Sequence, residues 1–75
     1  MEQKFFFKDR LYELRKLHNL TQKQVADELG IIYQNIGNWE AGLSSPNLST
    51  FAKLCIYFDV SADYLLGLSN VKELR

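Results

Sequence analysis

The sequence predicts an all-α domain built from five short helices. Apolar side chains recur at the 3.6-residue spacing of helices in several successive stretches. Gly30, Gly42, Pro46 and Gly67 stand between those stretches as breakers. Strand patterning is poor: Tyr57, Asp59 and Ser61 alternate briefly with Phe58 and Val60, and polar residues and glycine interrupt the pattern on both sides. At 75 residues the chain makes one small domain, whose core must pack well to hold without staples. An apolar content of 47% is enough for a single helical core and argues against disorder.

Residues 1–6, including the FFF run at Phe5 to Phe7, lead into the first helix. Charges flank that run closely, and neither an h-region nor a cleavage site follows it. Phe7, Leu11, Leu14 and Leu17 then define a first helix over about 7–18. Thr21 with Gln24 matches a capping box and opens a second helix over about 22–29, carrying Val25, Ala26 and Leu29 inward. Gly30 ends it as a left-handed cap. The third helix spans about 32–41 with Ile32, Ile36 and Trp39 expected inside, and Gly42 closes it. Pro46 and Asn47 restart the chain. Leu48, Phe51, Leu54, Cys55 and Phe58 supply the buried face of a fourth helix. Ser61 caps a short fifth helix through Tyr64 and Leu65, ended by Gly67, and residues 69–75 form a tail.

Composition removes several function classes. No apolar run approaches the roughly 20 residues that span a bilayer, so no membrane association is expected. A single cysteine, Cys55, permits no internal disulfide and suits a reducing cytoplasm; within an apolar stretch it reads as a buried thiol. His18 is the sole histidine, so no metal site is expected, and its place at a helix end suits the helix dipole. No nucleophile, base and orienting group occur together, and no phosphate loop is present, so neither enzyme activity nor a cofactor is expected. Aromatic residues fall mostly at core spacing, which argues against stacking on single strands.

Formal net charge is zero, from nine basic and nine acidic side chains. Six of the basic residues precede position 24, and none lies between Lys23 and Lys53. A positive field would therefore come from Lys8, Arg10, Lys16 and Lys23.

The chemistry-bearing segment is Thr21 to Glu40, two short helices meeting at Gly30. This is the arrangement that puts a helix into the DNA major groove. The outer face of the third helix is Tyr33, Gln34, Gly37, Asn38 and Ala41. Gln34 and Asn38 lie four residues apart on that face, and each amide can pair bidentately with adenine N6 and N7. Tyr33 extends the same face. Gln22, in the first turn of the second helix, is placed to meet a phosphate or reach a base. Lys23 and Asn35 lie on the flanks, and Gly37 permits close approach to the groove floor. Arg15 and Glu40 carry the charges of a bidentate pair tying the first helix to the third.

These pieces, LRKLHNLTQKQVADELG, IGNWEAG, the proline at 46 and DVSADYLLG, together resemble the phage repressor/Cro-type helix-turn-helix family, also called XRE. The resemblance runs from about Phe7 to Leu68. It implies a five-helix lambda-repressor-like fold and a cytoplasmic transcriptional regulator, a repressor binding double-stranded DNA as a homodimer on a palindromic operator. It places Gln22, Tyr33, Gln34 and Asn38 at base-facing positions and Arg15 and Glu40 at a structural ion pair. Two departures stand out. Ile32 occupies a position where the family commonly has a serine or threonine cap. Ala41, Leu43, Ser44 and Ser45 stand where basic residues are common, leaving Ser44, Ser45, Asn47 and backbone N–H groups for phosphate contact. The dimer contact is expected from the fifth helix, the YLLGLSNV stretch or the FFF lead-in, and no small-molecule effector is expected. The alternative is a protein-interaction or antitoxin-like accessory module on the same scaffold, with weak or no DNA binding.

Overall fold

The computed structural model describes residues 6–73; the first five residues, Phe5 of the FFF run among them, and the last two lie outside the described residues. Five helices follow one another: α1 (Phe7–Leu17), α2 (Gln22–Leu29), α3 (Tyr33–Glu40), α4 (Leu48–Phe58) and α5 (Ala62–Leu66). No strand occurs among the described residues.

Local chemistry explains most of the boundaries. Thr21 Oγ1 accepts from Gln24 N–H at 3.0 Å, and Gln24 Oε1 accepts from Thr21 N–H at 2.8 Å, a complete capping box for α2. Asn47 caps α4 through Thr50 N–H at 2.8 Å, and Ser61 caps α5 through Tyr64 N–H at 3.0 Å. Each helix ends in the same paired motif, in which two successive N–H groups turn back to the last carbonyls. Glycine supplies the left-handed residue at Gly30, Gly42 and Gly67, but Asn19 (φ 57°) and Asp59 (φ 56°) supply it after α1 and α4.

The core is one cluster drawn from every helix, with Leu11, Val25, Ile36, Leu54 and Leu65 fully enclosed. Phe7 sits inside the cluster, its ring 5.8 Å from Phe51 and 6.4 Å from Trp39. The segment after α5 folds back on the α5 cap: Ser61 N–H donates to Lys72 O at 2.6 Å and Ser61 Oγ donates to Val71 O at 3.0 Å.

Three expected core positions are not in the core. Ile32 is 63% exposed, because α3 begins at Tyr33 and Ile32 lies before it in extended conformation, off the helical phase that carries Ile36. Leu48 is 83% exposed, since at the first residue of α4 it reaches past the edge of the core beside Phe51 and Leu66. Leu17 is also exposed. His18 is in phase with Leu11 and Leu14 instead, and its ring lies 5.7 Å from that of Phe58.

Candidate nucleic-acid interface

Helices α2 and α3 pack against each other across the Gly30 corner, and α1 packs against α3. Ile36 and Trp39 point α3 inward, which leaves an outer arc running from Tyr33 through Gln34 and Asn38 to the half-buried Asn35. Gln34 and Asn38 are both exposed on that arc, one turn apart. Neither is engaged by another side chain among the described hydrogen bonds, so both amides keep donor and acceptor available.

One cleft lies on each flank of the arc. The first, between the end of α1 and the start of α2, is lined by Lys16, Asn19, Thr21, Gln22, Lys23 and Tyr33. Tyr33 thus stands at the lip of a basic cleft that also takes in the first turn of α2, whose unpaired N–H groups favour an anion. The second cleft brings Asn35, Ser44, Ser45 and Asn47 together with Ile31, Trp39 and Thr50. The residues expected to meet a DNA backbone on the α4 side therefore share one surface. Asn19 lines the first cleft and was not among the expected residues; the signal in the sequence was an asparagine just past the end of a helix.

The frame behind this surface is an ion-pair network. Arg15 Nε donates to Glu40 Oε2 at 2.7 Å and Arg15 Nη2 to Glu40 Oε1 at 2.8 Å, with both side chains about 8% exposed. Arg15 Nη1 donates to Leu20 O at 2.9 Å, so the guanidinium also fixes the turn before α2. The hydrogen bond to Glu40 raises the Arg15 pKa above its ordinary value, against the desolvation that lowers it. Gln22 joins the network: its Nε2 donates to Glu40 Oε1 at 3.1 Å. A Cβ on Gly37 would lie 3.4 Å from Gln22 Oε1, so the glycine borders a side chain of its own protein. Gln22 links α2 to the end of α3.

Other expected contributors are partly engaged. Lys23 pairs with Asp27 at 3.1 Å on an exposed helix face. Arg10 lies 4.0 Å over the Tyr64 ring and donates to Asn70 Oδ1 at 2.9 Å, so it serves the packing of α1 on α5 and the tail. Asn47 uses its side-chain oxygen as the α4 cap. Lys8 lies along Gly42. Among the described residues there is no cluster that could hold a metal ion, and no helix is long and apolar enough to cross a membrane.

Two helices crossing at a glycine corner, with the second presenting an exposed polar arc, define a helix-turn-helix domain. Residues 11–65 match the family model described as helix-turn-helix, and the chain belongs to that family, in its XRE-type branch. It is 43% identical over 61 residues to the uncharacterized HTH-type transcriptional regulator YobD of Bacillus subtilis, covering 81% of this chain and 54% of YobD. It is 37% identical over 60 residues to the cryptic phage CTXphi transcriptional repressor RstR of Vibrio cholerae, covering 80% of this chain and 54% of RstR. The crystal structure of the restriction-modification controller protein C.AhdI from Aeromonas hydrophila superposes with a TM-score of 0.72 at 30% identity, covering 79% of this chain and 89% of C.AhdI. The chain spans about half the length of the curated relatives it matches. What the family match shows is a helix-turn-helix domain over residues 11–65.

Proposed function

We propose that the chain binds double-stranded DNA sequence-specifically as a homodimer on a palindromic operator, and represses by occupying a promoter. The observation that carries this reading is the pair of free, exposed amides, Gln34 and Asn38, on the outer arc of α3 between two polar clefts. In this reading the two amides meet base edges, with Gln22 and Tyr33 at the margin of the base contacts. Lys23, Asn35, Gly37, Ser44, Ser45 and Asn47 lie along the backbone. Phosphate contacts fix register, and base contacts carry the sequence information. It acts in the cytoplasm, where the DNA is.

In such a dimer the two α3 helices would lie about 34–36 Å apart, one DNA turn. Tyr64 and Leu65 of α5 belong to the internal core, which leaves Phe6, Leu68 and Val71 as exposed apolar side chains at that edge for a two-fold contact.

The test is an amide chemical-shift titration with a 20-base-pair duplex at low salt, alongside sedimentation of the complex. Shifts concentrated at Gln22, Tyr33, Gln34 and Asn38, with two chains per duplex, are expected. Shifts confined to the exposed α4 residues Leu48 and Ile56, or no response to DNA, would favour a protein-interaction module instead. One chain per duplex would remove the dimer.

A further inference from the structure

We propose that Ile32 reads a thymine methyl group, an inference that rests on the DNA-binding function proposed above. Ile32 is the N-cap residue of α3, extended at φ −81° and ψ 144°, and its carbonyl accepts from Asn35 N–H at 3.1 Å. That conformation is the one a capping serine, threonine, asparagine or aspartate adopts. Helices α2, α4 and α5 each carry such a side chain, in Thr21, Asn47 and Ser61, whereas α1 and α3 start without a side-chain cap, at Phe6 and Ile32. The isoleucine is also 63% exposed and lies outside the core cluster. A single exposed apolar residue is ordinary. Exposure without a cap also occurs at Phe6, but Ile32 alone of the two stands at the start of the helix that presents Gln34. The helix N-terminal end is the part of a helix-turn-helix that enters the major groove. The one apolar group that base pairs display there is the C5 methyl of thymine. A β-branched side chain, stiff about χ1, gives that methyl a fixed partner. Gln34 and Asn38 would then supply hydrogen bonds, and Ile32 the apolar contact at the margin of the same arc.

The probe is a random-duplex library, selected once with thymine and then tested with deoxyuridine replacing thymine one position at a time. Removing one buried methyl, worth about 0.8 kcal/mol, should weaken the wild type about fourfold at one position per half-site. Ile32→Ser and Ile32→Ala should abolish that sensitivity. Ile32→Ser should also gain a cap and raise the melting temperature by about 4–8 °C. The inference is overturned if no position responds to loss of the methyl, if the response persists in both Ile32 variants, or if Ile32→Ser melts no higher than wild type. Selection with Gln34→Ala and Asn38→Ala separates the two ideas. Relaxed preference in those variants with no uracil effect defeats the Ile32 contact alone. A uracil effect lost in the Ile32 variants, with no relaxation in the amide variants, sustains it and defeats the amide reading. A library that yields no preferred sequence defeats both.

Discussion

Arg15, Glu40 and Gln22 hold α1, α2 and α3 in one arrangement through a carboxylate that accepts three hydrogen bonds. Arg15→Met would leave that carboxylate buried without its cation, a change expected to cost about 3–5 kcal/mol in urea denaturation. Combined with Glu40→Gln, the losses should fall clearly short of their sum; strict additivity would show that the pair is not coupled. Gly37 bears on the same network. Replacing it with alanine recovers up to about 1 kcal/mol of helix propensity, and the added Cβ meets only ordinary contact with the movable end of Gln22. We expect Gly37→Ala to melt higher; unchanged DNA affinity in that variant would discard a role for the glycine at the groove floor. Cys55 titrates differently folded and unfolded, because burial raises its thiol pKa above the ordinary value. The unfolded chain therefore releases its proton first, above about pH 8.5. Stability linked to this group is intact below that pH and is lost as the pH rises towards the folded value. Over that range the denaturation midpoint of the wild type should fall more steeply than that of Cys55→Ala.

At the scale of elements, the helix starts and stops were largely legible because caps and glycine turns are local chemistry. Thr21 with Gln24, Ser61, Gly30 and Gly67 mark their boundaries by residue type alone. The left-handed turns at Asn19 and Asp59 were not legible, since either residue can occupy such a turn and nothing in the chain compels it. Asp59→Gly should remove that local strain and stabilise by about 0.5–1 kcal/mol. Gly67 is the opposite case. A Cβ there would fall 2.7 Å from the Phe6 ring and 3.0 Å from its backbone nitrogen, at φ +84°. Gly67→Ala should therefore cost more than the 1–2 kcal/mol of a strained turn alone, and thermal melting compares the two variants directly. In the candidate site, the exposed amides followed from helical spacing once Ile36 and Trp39 were placed inside. The bond from Gln22 to Glu40 and the exposure of Ile32 depend on how helices meet and where α3 starts, which spacing does not encode.

For the whole molecule, charge is the distinguishing property. Equal numbers of basic and acidic side chains, with Lys23 paired to Asp27 and Arg10 held by Tyr64 and Asn70, leave little net field for phosphate attraction. A log–log plot of affinity against salt should be shallower than that of a protein neutralising 6–10 phosphates; a steeper slope would contradict this reading of the surface. In the function proposed above, specificity rests on the amides of α3 rather than on charge. The most direct measurement is selection from a random duplex library with wild type, Gln34→Ala and Asn38→Ala. We expect a palindromic preference that relaxes at separate positions in the two variants. An unchanged preference in both, or loss of affinity with no change in preference, would contradict base reading by α3.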